Sequence, residues 1–161
     1  MCSTTGRIRV ESGYSGGAKE TANYEAVCNG NTGHAESVQV IYDPSRVRYN
    51  QLLDVFFAAH DPTELNRQGN DTGTQYRSAL FYADEQQKQA ADAKIHELTQ
   101  SHVFSAPIVT AVEPLKAFFP AEGYHQNYVH KHPDEAYIKF VSIPKVEHVR
   151  EKYPRLIKKT A

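Results

Sequence analysis

Residues 34–60, HAESVQVIYDPSRVRYNQLLDVFFAAH, change their hydrophobic period part-way through. From His34 to Tyr42 apolar and polar residues alternate, so Val38, Val40 and Tyr42 share one face of a strand. Asp43-Pro44 closes that strand. From Tyr49 to His60 the apolar positions fall at i, i+3, i+4, i+7, i+8 and i+11, which is the stripe of an amphipathic helix. Glu36 has the parity of Val38 and Val40, so a buried strand face would carry a carboxyl group at its end. A carboxylate taken out of water prefers to be protonated, and a neutral carboxylic acid can donate a proton. A half-exposed strand end, with Glu36 in solvent, is the plainer alternative on the pattern alone. His60 ends the helical stripe beside Asp61-Pro62 and reads as a packed, hydrogen-bonded histidine.

The next stretch, His60–Ser78 (HDPTELNRQGNDTGTQYRS), is rich in turn formers and reads as one long polar loop. Beyond it the spacing predicts a strand over 78–82 and a helix from a capping box at Asp84 and Gln87 to about Gln100, with Ala91, Ile95 and Leu98 inward. A strand is expected over 107–112, a short helix over 118–128 with Tyr124 and Tyr128 one turn apart, and a short strand over 137–141. Pro144 suits the first turn of a last helix with Val146, Val149 and Tyr153 inward, followed by a frayed RLIKKTA tail. Upstream, residues 7–12 alternate, with Ile8 and Val10 on one face, and lead into a glycine turn at 13–17. Interleaved strands and helices imply an α/β protein, specifically a two-layer α+β sandwich with a mixed sheet.

At 161 residues the chain is expected to be a single domain, residues 1–161. Its net charge of -1 and pI near 6.7 argue against a nucleic-acid or anionic-membrane surface. No apolar run approaches a membrane span and no signal peptide is visible, which with only two cysteines, Cys2 and Cys28, suggests the cytoplasm. A monomer is expected. Despite eight histidines there is no HExxH or Cys/His cluster, and His130-Lys131-His132 reads as solvated. Glycine-rich phosphate loops and serine-nucleophile motifs are absent as well. What remains is Glu36, Asp71, the tyrosines 24, 76, 124 and 128, and two thiols, a set able to cradle a small polar oxygen.

Four stretches carry a resemblance: GYSGG at 13–17, NYEAVCNGNTGHAE at 23–36, HDPTELNRQGNDTGTQYRS at 60–78 and PAEGYHQNY at 120–128. In this order they closely resemble the A-class peptide methionine sulfoxide reductases. The resemblance implies the family's α/β fold with a ferredoxin-like core, and as substrate the S epimer of methionine sulfoxide in proteins. It also implies that Tyr24, Tyr76 and Glu36 bind and polarise the sulfoxide oxygen and that Asp71 helps hold the pocket. A thiolate would attack the sulfur and become a sulfenic acid, which a second thiol clears. No bound cofactor is implied; thioredoxin or another dithiol would be the reductant.

The family's nucleophile belongs to a GCFWG-type motif, which is not present here, and the chain has no tryptophan. Cys2 is the upstream candidate but does not align with that cysteine. Cys28 matches the YxxVC cysteine, so a structural or resolving thiol is expected. No basic residue or helix N-terminus lies beside it in sequence to favour a thiolate. The expectation is a chain shortened at its N-terminus, with little activity and with apolar surface left open. The alternative is a silent relative that binds oxidised methionine without reducing it.

Overall fold

The change of period at residue 43 is a change of element. In the computed structural model, which describes residues 9–155, strand β2 spans Ala35–Ile41 and helix α2 spans Tyr49–Ala59. The Gln51 side chain accepts the Arg48 amide at 2.8 Å, satisfying a donor at the start of α2. Leu53 and Phe57 are buried on the expected stripe. His60 stops the helix in an extended conformation.

Strand β1 (Arg9–Ser15) pairs antiparallel with β2 along its whole length, from Arg9 opposite Ile41 to Ser15 opposite Ala35. It runs straight through Gly13, where the glycine turn was expected. Gly13 is needed because a Cβ there would collide with the Phe119 carbonyl and the Phe118 ring. Those aromatics belong to strand β7 (Phe118–Pro120), which pairs with the other edge of β1. The core end of this sheet is Tyr14, Ser15 and Ala35. Its far end is open: Val10 and Val38 are each 60 % exposed, and Ile41 on the opposite face is exposed too. Of the two readings of this face, the half-exposed one fits, since the sheet is buried only where β7 and its neighbours cover it. Ile8 lies outside the described residues.

Between β1 and β2 a short helix α1, Tyr24–Cys28, is capped by Asn23, whose side chain accepts the Ala26 amide at 2.9 Å. After α2 the polar loop folds into a tiny hairpin, β3 (Arg67–Gln68) with β4 (Asp71–Thr72), then a 3₁₀ turn over Thr74–Tyr76. Strand β5 (Ala79–Tyr82), helix α3 (Glu85–Gln100) and strand β6 (Ala111–Pro114) form a parallel β–α–β unit. The Asp84 side chain accepts the Gln87 amide, and Gln87 returns a bond to the Ala83 amide, both at 2.8 Å. Helix α2 packs against α3 and the last helix, α5 (Ile143–Lys152). The protein is thus an α/β fold with antiparallel and parallel pairing, in three sheets among the described residues.

Three local expectations are corrected. Residues 118–128 are not one helix: β7 is drawn into the sheet, and Asn127 is left-handed at φ 56°, so helix α4 begins only at Tyr128 (Tyr128–Lys131). Residues 138–142 form a π-helical turn leading into α5 rather than a strand. Val146 is exposed, while Val149 and Tyr153 are half-buried. Of the tail, residues 156–161 lie outside the described residues.

His60 is the packed histidine expected. Its Nδ1 donates to the Phe56 carbonyl at 2.7 Å, and its Nε2 accepts from the Ser78 hydroxyl at 2.7 Å. Ser78 Oγ lies 2.8 Å from Thr110 Oγ1, so the chain of bonds joins α2, β5 and the approach to β6. Burial holds the imidazole below the usual histidine range. The folded state therefore binds this proton less well than the unfolded state. Stability is fully present above the unfolded value, about 6.5, and falls as pH drops from there toward the folded value. Ser78→Ala should cost about 1–3 kcal/mol in urea titrations, by leaving the buried imidazole acceptor unpaired. The parent's stability should also decline on acidification in that window, and His60→Gln should flatten that decline.

Candidate active site

Side chains bonded to backbone groups hold together the chain segments that carry the site. His34, fully buried, accepts the Gly17 amide at Nδ1 (3.1 Å) and donates from Nε2 to the Ala18 carbonyl (2.9 Å). This neutral tautomer ties the end of β1 to the start of β2 and lies edge-on to Phe119. The pairing it protects puts Tyr14 opposite Glu36.

The 3₁₀ turn that carries Tyr76 is fixed to α1 and to the turn before β2. Thr74 Oγ1 donates to the Gly30 carbonyl at 3.0 Å, and Gln75 Nε2 to the Cys28 carbonyl at 3.2 Å. Arg77 donates to the Thr74 and Gly33 carbonyls at 3.0 and 3.1 Å and pairs with Glu113 at 3.3 Å. Gly73, at φ 145°, allows the turn: a side chain there would run into the Gln75 amide.

On this frame Glu36, Asp71, Tyr24 and Tyr76 come together. Glu36 stands at the end of β2 and keeps contact with solvent, as the plainer alternative had it. Its carboxyl group is nonetheless crowded, and desolvation, with the nearby Asp71 charge adding to it, raises its pKa. The Tyr76 hydroxyl is raised by burial, then by the charges of Glu36 and Asp71. Tyr24, in the first turn of α1, is 45 % exposed. Its pKa is raised first by a hydrogen bond with the Cys28 thiol, and the Glu36 charge also reaches it. Cys28, at the C-terminal end of α1, is an exposed free thiol beside this group. Cys2 lies outside the described residues.

Tyr137 is a member that the sequence reading missed. Its hydroxyl donates to Asp71 Oδ2 at 2.8 Å. Burial first, then that bond and charge, push its pKa up to about 12, and Tyr76 and Glu36 also act on it. Of the other tyrosines considered, Tyr128 is committed to Glu135 at 2.9 Å. Tyr124 is exposed and lies against His125. Among the described residues no group of three or more His, Cys, Asp or Glu side chains is placed to hold a metal ion. None of the described helices is long and apolar enough to cross a membrane.

The arrangement offers phenol donors beside a carboxyl group whose pKa is raised. The sequence profile of the family described as peptide methionine sulfoxide reductase matches residues 1–156. The chain belongs to this family. It is 55 % identical over 135 residues to the peptide methionine sulfoxide reductase MsrA of Nautilia profundicola, covering 84 % of this chain and 76 % of that one. It is 51 % identical over 145 residues to the MsrA of Deinococcus radiodurans, covering 90 % and 70 %. In three dimensions it is similar to reduced Mxr1 of Saccharomyces cerevisiae, with a TM-score of 0.74 at 37 % identity, over 78 % of this chain and 72 % of that one. The reductase family is the one whose motifs supplied Tyr24, Glu36, Asp71 and Tyr76.

The raised Glu36 pKa has a thermodynamic signature. The folded state holds this proton more tightly than the unfolded chain, whose value is about 4.3. Stability is then fully present below the unfolded value and falls as pH rises toward the folded one. Glu36→Gln should remove that fall, so thermal melts of parent and variant should diverge above about pH 4 with the variant the more stable. Parallel melting curves across the range would contradict the assignment.

Proposed function

We propose that this chain reduces the S epimer of methionine sulfoxide, in proteins and as the free amino acid, to methionine, with a dithiol such as thioredoxin as reductant. The observation that carries the reading is the placement of Glu36, its pKa raised, among the Tyr24 and Tyr76 phenols and Asp71. A sulfoxide sulfur is a poor electrophile until its oxygen is protonated or strongly hydrogen-bonded. In this reading Tyr24 and Tyr76 donate to the oxygen and Glu36 supplies the proton. Asp71, held by Tyr137, keeps charge and shape at the rim. A thiolate attacks sulfur, the S–O bond breaks, and oxygen leaves on the attacking cysteine as a sulfenic acid while methionine departs. A second thiol then forms a disulfide and releases water; two thiols are oxidised for each sulfoxide reduced. We further propose that the protein works as a monomer in a reducing, cytoplasmic setting, consistent with the free thiol of Cys28.

Cys28 matches the YxxVC cysteine of the family and not its nucleophile, and it lies at the C-terminal end of α1. We assign it a structural or resolving role, and Cys2 is then the candidate nucleophile among these 161 residues.

The test is methionine release from a peptide carrying S-sulfoxide, with dithiothreitol and with thioredoxin. The assay is run on this chain and on one preceded by a GCFWG-type segment. Glu36→Gln should cut turnover on the order of 10²–10⁴-fold in whichever form is active. Cys28→Ser should retain the attack step, and intact mass should show no sulfenic adduct on Cys28. Loss of activity on Cys2→Ser in the short chain would assign the nucleophile to Cys2. Sulfoxide binding without turnover in either form would overturn the reductase reading.

A further inference from the structure

Glu122 is not among the groups that meet the sulfoxide, yet it is bonded to two segments that present them. Its Oε1 accepts the Tyr24 amide at 2.8 Å, and its Oε2 accepts the Tyr14 hydroxyl at 2.9 Å. Tyr14 is buried and stands opposite Glu36 in the β1–β2 ladder. His125 adds a third contact. Its Nε2, buried and without a hydrogen-bond partner, points toward Oε2 at 3.9 Å, while its ring lies 4.7 Å from the Tyr24 ring. The same segment is fixed to β1 from below: Gln126 accepts the Ser12 amide at 2.9 Å and donates to the Ser12 carbonyl at 2.8 Å. Glu122 thus links the segments of Tyr14 and Tyr24 through one carboxylate. Burial works against its charge, but the Tyr24 amide, its own backbone and the Tyr14 hydroxyl together hold its carboxyl below the usual range.

We propose that Glu122 is a positioning residue that fixes the Tyr24 phenol relative to Glu36 by holding the Tyr24 backbone and the Tyr14 side chain on one carboxylate. The proposal rests on the reading of the site as a sulfoxide cradle. The physical need is plain. Helix α1 has five residues, too few to hold itself together, and its first amides have no partner within the helix. Asn23 serves the Ala26 amide, and Glu122 serves that of Tyr24. Without Glu122 the first turn frays and carries its half-exposed ring with it. A donor displaced by about 1 Å loses most of its effect on a reacting oxygen.

Two readouts on the chain itself test this: exchange of the Tyr24 amide, and the dissociation constant of a short peptide carrying methionine S-sulfoxide. Glu122→Ala should speed Tyr24 exchange and weaken peptide binding by about ten- to hundredfold. Glu122→Gln keeps an acceptor and should recover most of both. In a Tyr24→Phe background, Glu122→Ala should cost little further affinity, because its effect runs through the phenol. Equal weakening in both backgrounds, or unchanged binding and exchange in Glu122→Ala, would overturn the proposal. If the parent chain binds no sulfoxide peptide, the cradle reading fails. Glu122 is then judged by Tyr24 exchange and by movement of the Tyr24 ring resonances, where no change rules it out.

Discussion

The arrangement at this site depends on the register of a seven-residue antiparallel ladder. Tyr14 faces Glu36, and because side chains alternate, a slip of one residue would turn Glu36 to the opposite face of the sheet. The ladder cannot set its own register by burial, since its far end, with Val10 and Val38, is open to solvent. It is set at the near end. There Gly13 admits β7, His34 binds the Gly17 amide and the Ala18 carbonyl just after β1, and Tyr14 is buried and anchored. Polar, directional bonds do here what a hydrophobic face does in a larger sheet.

The two carboxylates on either side of Tyr14 receive opposite treatment. Glu122 collects donors and is held as an anion; Glu36 has few donors and a neighbouring negative charge, and is held toward its protonated form. Divergent environments for nearby acids are how one fold supplies both a fixed charge and a mobile proton. Asp71 is stabilised by Tyr137 and contributes to raising Glu36, so the hairpin loop influences the proton on a strand it does not pair with.

The elements with a long period were legible. Helix α2 shows its stripe, α3 shows its capping residues, and β2 and β5 show apolar runs bounded by turn formers. Helix α1 was not legible because five residues carry no period, and its stability comes from Asn23 and from Glu122, 98 positions away. The aromatic pair 118–119 was misread because a sheet edge captured it, and no local pattern announces that. Of the site, alternation only raised Glu36 as one of two open readings, and resemblance favoured it and gave Tyr24, Asp71 and Tyr76 their roles. Tyr137 went unseen because its partner Asp71 is 66 positions away in a different element.

The bond between His60 and Ser78 has a consequence of its own. It joins the two ends of the long polar segment at 2.7 Å, so the helix before the segment and the strand after it share one anchor. A noose of this kind can change length without moving its anchor. The entropy of closing a flexible loop grows only as the logarithm of its length, about 0.6 kcal/mol per doubling. Insertions at the Gly69-Asn70 tip would then be absorbed within the noose, and the helix and strand that it joins would not register them. Variation in what the site meets at its rim is thereby separated from the packing that keeps the protein folded.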